Sequence, residues 1–161
     1  MSLRGHHKAT TATVQTASLL VVRFGKNLYG LPSAGVRGVF TREEVGGGHT
    51  VTAVGITYHD VDLAGRLATA LDLSHPDMRV VLYSNGQTHG VVCVEEVIGM
   101  IEVERAECRP LPPQFRRDER VWISGTTFYQ ERLVLILSPE WILGELGEVV
   151  AAGAARVLSQ S

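Results

Sequence analysis

"MRVVLYSNGQTHGVVCV", residues 78–94, sets two runs rich in β-branched side chains on either side of Asn85-Gly86. Asparagine and glycine accept the positive backbone angles of a tight hairpin turn, and β-branched residues suit a pleated, half-buried surface. The stretch therefore predicts an antiparallel hairpin, and the sequence on both sides reads in the same grammar.

Toward the N-terminus, "SLLVVRF" (18–24) and "YGLPSAGVRGVF" (29–40) flank Gly25-Lys26-Asn27, which predicts a hairpin with strands at 18–24 and 28–32 and a third strand at Val36–Phe40. "TREEVGGGHT" (41–50) reads as a flexible loop, because three consecutive glycines remove side-chain constraint. A strand is expected over 54–61. Asp62 then precedes "LAGRLATAL", where Leu63, Leu67 and Leu71 fall at helical spacing, so its carboxylate is placed to cap free backbone N–H groups.

Toward the C-terminus, "EEVIGMIEV" (95–103) fits helix or strand by propensity, but apolar residues on both sides of Gly99 favour an extended, bent segment. "RAECRPLPPQFRRDER" (105–120) reads as a solvated connector, since prolines do not continue a ladder. Two strands follow around Gly125 and Gln130-Glu131, and the second, "RLVLIL" (132–137), is apolar on both faces and so belongs to a core. Ser138 and Pro139 suit the cap and first position of a helix with Trp141, Ile142 and Leu146 as its buried stripe. The tail 144–161 tolerates helix, although Gly144, Gly147 and Gly153 each weaken one by up to about 1 kcal/mol.

Composition narrows the class. At 161 residues, with 45% hydrophobic and 20% charged side chains, the chain can bury a real core as one compact unit of mainly β structure with short helices. A net charge of −2 leaves no basic surplus for phosphates, which argues against nucleic acid or an anionic membrane surface as a partner. Cys93 and Cys108 are too few for a disulfide scaffold and lack the paired spacing of a zinc site, so a reduced cytoplasm fits. The first seventeen residues have no apolar run of signal-peptide length, and nowhere do eighteen apolar residues follow one another, so neither export nor membrane insertion is expected.

His59, Asp60 and Asp62 lie within four positions, the material of a metal or acid–base site. On a strand, however, side chains alternate: His59 shares a face with Thr57 and Val61, and Asp60 shares the other with Tyr58 and Asp62. The pair cannot converge on one ion. His6, His7, His49, His75 and His89 show no ligand spacing that would complete a site, and no nucleophile–base motif or phosphate-cradling glycine loop stands out. No enzyme activity, metal or cofactor is expected.

Taken together, "LLVVRFGKNLYGLPSAGVRGVF", "VGITYHDVDLAGRL", "HGVVCVEEVIGMIEV" and "ISGTTFYQERLVLILSPEWIL" resemble the four blocks of the CheW-like domain, the adaptor of bacterial chemosensory arrays. The resemblance covers residues 18–143, leaving 1–17 and 144–161 as tails. It rests on Tyr29-Gly30, on Gly55 followed after seven positions by Asp62-Leu63, on Val94-Glu95-x-Val97, where the family usually has aspartate for Glu95, and on Gly125 with the strand ending at Leu137. It implies two five-stranded SH3-like β-barrels packed on a shared apolar seam. It also implies a non-enzymatic scaffold whose partners are the regulatory domain of a CheA-type histidine kinase, the cytoplasmic tip of a chemoreceptor and other CheW-like proteins.

Carried over residue by residue, the partner-binding positions are Val36, Gly38, Val54, Gly55 and His59. Val36 matches a family valine on the receptor-facing side. The family's Asn-x-Arg-Gly run is here Thr52-Ala53-Val54-Gly55, which puts valine in the arginine position; Gly38 replaces a frequent acid, and His59 a usual proline. Core positions Leu20, Val22, Tyr29, Val61, Leu63, Val91, Val94, Leu135 and Leu137 stay apolar. Such a pattern implies a kept fold with an altered partner code, serving an alternative pathway or lacking one usual contact. The competing expectation is a small-ligand module with His59, Tyr58 and His89 around an apolar pocket in the seam.

Overall fold

The computed structural model describes residues 16–46, 50–67, 69, 74–110 and 123–144. Among the described residues there are ten strands: β1 (Thr16–Phe24), β2 (Asn27–Pro32), β3 (Val36–Phe40), β4 (Thr50–Ala53), β5 (Ile56–Asp60), β6 (Arg79–Ser84), β7 (His89–Val94), β8 (Glu96–Glu104), β9 (Ile123–Tyr129) and β10 (Arg132–Leu137). They form two five-stranded sheets, ordered β8-β1-β2-β10-β9 and β3-β6-β7-β5-β4. The chain leaves the first sheet after β2, builds the whole second sheet, and returns at Glu95. This is the expected mainly-β, two-unit architecture.

Each sheet curls around its own small core. Val51, Tyr58, Met78, Val80, Leu82 and Val91 fill the second, while Leu19, Val103 and Ile136, and separately Val21, Leu28 and Val134, fill the first. The opposite faces meet in the seam, where Leu20, Val22, Phe24, Tyr29 and Leu31 of the first sheet pack on Val81, Tyr83, Val92 and Val94 of the second. β1 is apolar on both sides for that reason: Leu19 and Val21 face inward, and Leu20 and Val22 face the seam.

Burying one such side chain gains roughly 1.5–3 kcal/mol. An exposed ion pair contributes about 0–1 kcal/mol, so the seam rather than surface charge joins the halves. Close approach is specified locally. Tyr83 lies under Gly35, where an added Cβ would meet the ring at 2.4 Å, and its hydroxyl donates to the Pro32 carbonyl at 2.9 Å. Gly90 lets Leu143 down onto β7, since a Cβ there would meet Val61 Cγ2 at 2.5 Å and Leu143 Cδ2 at 2.8 Å.

Glu95 fastens the return crossing. Its carboxylate, largely buried, accepts the Gly25 N–H at 2.8 Å and lies 3.5 Å from Arg23 Nη1, while Arg23 Nε donates to Glu96 at 2.9 Å. One acid thereby holds the β1–β2 turn against the junction of β7 and β8.

Several local expectations need correction. Asn85-Gly86 does not form a two-residue turn: Ser84 pairs with His89 across a four-residue loop, in which Asn85 Oδ1 accepts the N–H groups of Gln87 and Thr88. The Asn85 N–H also donates to the Thr88 carbonyl at 3.2 Å, so the tight part of the loop is centred on Gly86-Gln87, one residue later than expected, and is braced by the asparagine side chain. The expected strand at 54–61 is a turn at Val54-Gly55 followed by β5, and β4 precedes it. Part of the 41–50 loop is a helical turn, α1 (Arg42–Val45), with a reciprocal capping box between Thr41 and Glu44.

Asp62 caps α2 (Leu63–Arg66) by accepting the Gly65 N–H at 3.3 Å, as expected, though the helix is one turn long. The bend at Gly99 appears as a bulge, with Ile98 the extra residue opposite Val21 and Val22. Residues 139–144 are helical, with Ile142 buried as expected, Leu143 buried beside it and Trp141 half-buried against the seam core, while Leu146 lies outside the described residues. "RLVLIL" is not wholly core, because Leu133 is exposed. Residues 1–15, the glycines at 47 and 48, Leu71, the proline-rich 111–122 and the 145–161 tail lie outside the described residues.

Candidate protein-interaction surface

All five sequence-derived partner positions fall on the second sheet: Val36 and Gly38 on its edge strand β3, Val54 and Gly55 in the β4–β5 turn, and His59 on β5, one strand in from the other edge. Val36 pairs with Tyr83 and packs, half-buried, on the seam core. Between them Arg37 is a bulged residue whose guanidinium donates to the Ala34 carbonyl at 2.7 Å. Gly38 pairs with Leu82, and a Cβ on it would meet the Phe40 ring at 2.5 Å. The glycine thus answers to Phe40, whose ring folds over it.

The other edge is the β4–β5 hairpin, paired Thr50 with His59, Val51 with Tyr58, Thr52 with Thr57 and Ala53 with Ile56. Val51 and Tyr58 turn inward to the core, so Thr50, Thr52, Thr57 and His59 face outward. Val54 and Gly55 make the turn with φ of +52° and +76°, and Val54 is 99% exposed. His59 is exposed at the far end of the same ladder, beside Gly90 of β7. The five residues therefore occupy two separate places, about three strand spacings of ~4.8 Å apart in sheet order.

His59 and Asp60 point to opposite faces of β5, as alternation requires, and Asp60 Oδ1 instead accepts the Asp62 N–H at 3.3 Å. The ligand-pocket alternative fails on geometry. Tyr58 is in the second sheet's own core with His89 edge-on at 5.4 Å, His59 is on the other face, and the seam is packed with aliphatic and aromatic side chains. An open cavity of about 680 Å³ lies elsewhere, lined by Thr41, Arg42, His75 and Arg79 among others. His89 Nδ1 sits 2.8 Å from the buried Ser84 Oγ, but that oxygen already accepts the Gly86 N–H at 2.9 Å and has no open approach. The pair stiffens the β6–β7 loop.

Sequence reading missed an apolar patch on the first sheet. Phe128 (64% exposed) and Leu133 (45%) are direct cross-strand partners on β9 and β10. The available signal was Phe128 next to the Gln130-Glu131 turn, where alternation alone does not say which face is covered. Arg66 was also missed. It donates to the carbonyls of Trp141 at 2.7 Å and Ile142 at 3.0 Å and lies 3.9 Å over the Trp141 ring, which fixes the 139–144 helix to α2.

Among the described residues no helix is long and apolar enough to cross a membrane, and no group of three His, Cys, Asp or Glu could hold a metal ion. The family model for the CheW-like domain matches residues 18–146. Among solved structures, the crystal structure of the scaffolding protein TtCheW from Thermoanaerobacter tengcongensis is similar, with a TM-score of 0.63 and 18% identity over 77% of this chain and 85% of that one. At that identity the likeness is one of fold. Among curated proteins no sequence match was found.

Proposed function

This chain belongs to the CheW-like domain family, a family of non-enzymatic chemosensory scaffolds, and from that premise we propose that it couples chemoreceptors to a CheA-type histidine kinase through the two edges of its second sheet. In this reading the kinase's regulatory domain and a chemoreceptor's cytoplasmic tip are the partners, with other CheW-like proteins as neighbours in the array and the cytoplasm as the place of action. A scaffold transmits a movement only if it does not deform between its contacts. The seam supplies that stiffness: side chains of both sheets interlock there, and Tyr83 and Glu95 bond across it.

The observation that carries the reading is where the chain departs from its family. The substitutions sit on sheet edges and at an exposed turn, while every carried-over core position is buried or half-buried. Val54 removes a charged, bidentate hydrogen-bonding group, and Gly38 an acid, so the partner code is altered. The protein then serves an alternative pathway or has lost one usual contact. Weak, repeated contacts in an array gain strength through multivalency.

Co-sedimentation with receptor-containing membranes and the cognate kinase tests this. The expected result is that the protein enters the pellet only when receptor, kinase or both are present and that receptor control of the kinase depends on it. Binding to neither overturns the adaptor reading. Ordinary affinity for partners of an unrelated chemotaxis system overturns the altered code.

A further inference from the structure

Phe128 and Leu133 stand in solvent as direct partners across β9 and β10, far from the partner positions on the second sheet. Side chains alternate along β10, so Leu133 shares a face with Leu135, half-buried on the seam core, and with Leu137, fully buried in it. The pair is thus the outer end of the seam's own apolar row, uncovered where the rest of the row is covered.

What covers the inner end points along the row. Ile142 and Leu143 of the 139–144 helical turn lie in the same seam core as Leu137, and Arg66 of α2 holds that turn by its two carbonyls. Just past α2, Thr69 Oγ1 lies 3.5 Å from where a Cβ on Gly25 would stand, and the carbonyl of the next residue, Lys26, accepts a bond from Arg132 Nη2 at 3.2 Å. Arg66 and Thr69, three residues apart, therefore mark a short path from the C-terminal turn to the strand end that carries Leu133. The exposed cations Lys26 and Arg132 stand beside the apolar pair there.

The sequence beyond Gly144 suits that path. Leu146, Val149, Val150, Ala154, Val157 and Leu158 recur at the spacing of one helix face, in register with the buried Ile142 and Leu143, and Glu145 and Glu148 flank the start of the stripe. Gly147 and Gly153 make such a helix weak by itself, so it needs a surface on which to bury the stripe. As a helix, residues 145–161 would measure ~25 Å, against ~13 Å for the four steps of β10 from Leu137 back to Leu133. The length suffices.

We infer that residues 145–161 fold back as an amphipathic helix on the first sheet, with the apolar stripe over Phe128 and Leu133 and the acids toward Lys26 and Arg132. The contact is within one chain and does not depend on the adaptor reading. Hydrogen exchange of the full chain at two protein concentrations, compared with Phe128→Gln/Leu133→Gln and with Val150→Asp/Val157→Asp, tests it. Amides of 146–158 in the native chain are expected to exchange at least about tenfold more slowly than in the free peptide 145–161.

Phe128→Gln with Leu133→Gln is expected to abolish that protection while β1 and β6 stay slow, since both replaced side chains are exposed and outside the buried core. Val150→Asp with Val157→Asp is expected to abolish it as well and to raise binding of an anilinonaphthalene dye to the uncovered pair. An unprotected tail in the native chain, or protection that survives the loss of Phe128 and Leu133, overturns the inference. So does protection that grows with concentration, the sign of stripes pairing between copies. None of these results touches the adaptor reading, and failure to co-sediment with receptor or kinase leaves the fold-back contact standing.

Discussion

Val22 and Val54 are the same side chain in opposite circumstances. Val22 is fully buried in the seam on an extended strand, whereas Val54 stands 99% exposed on a left-handed turn. Removing water from the first is what joins the two sheets. The second contributes nothing to that and keeps a backbone that its side chain disfavours. The molecule is divided accordingly, with stability carried by the seam while the β4–β5 turn stands in solvent.

The largest expected effect tests the seam. Tyr83→Ala removes a fully buried ring and its bond to Pro32, and is expected to cost about 4 kcal/mol in urea denaturation. A loss below about 1 kcal/mol would show that the sheets hold together by other means. Gly90→Ala should cost about 2 kcal/mol, because its Cβ collides with Val61 and Leu143 and lifts the C-terminal helical turn off β7. Thermal melts of that variant with and without Leu143→Ala check it, since the second change should relieve part of the first.

Glu95→Gln keeps an acceptor for the Gly25 N–H but loses the charge beside Arg23, so a cost near 1 kcal/mol is expected, reduced by Arg23's remaining bond to Glu96 and by partial exposure of the guanidinium. On the other side of the comparison, Val54→Asn should change stability with the opposite sign, a gain of about 1 kcal/mol.

The smallest effect is chemical. Burial, aided by the nearby Asp60 charge, pushes the Cys93 thiol up to about 11. The folded chain holds this proton more tightly than the unfolded chain, so the stability linked to it is present below the ordinary thiol range and is lost as pH rises toward about 11. Alkylation of Cys93 at neutral pH should be far slower than that of an unperturbed thiol and should rise steeply above pH ~9. Fast labelling near neutrality would mean that β7 is open to solvent.

The legibility of the sequence follows the same division. Periodicity reported β1, β2, β3, β6, β7, β9 and β10 because their alternation reflects burial, which is local in pattern. It gave no warning of β4, whose "TVTA" is mostly polar outward and short, or of the four-residue loop that Asn85 closes with its own side chain. Asp62 was readable as a cap because a carboxylate before an apolar helical repeat has few other uses. Phe128 was not readable as exposed, because coverage of a sheet face depends on what the rest of the chain brings there. Nor could the sequence show that Gly38 answers to Phe40 two residues on, or that Val54 is bent into the left-handed region.

Hydrogen exchange of the full chain, alone and with the receptor tip and the kinase regulatory domain, reads the partner footprint directly. Protection gained on binding is expected to fall on β3 and on the β4–β5 hairpin around Val54, with the seam strands β1 and β6 already slow and unchanged. Protection confined to the first sheet around Phe128 and Leu133, or loosening of the seam strands on binding, would contradict recognition by the second sheet's edges.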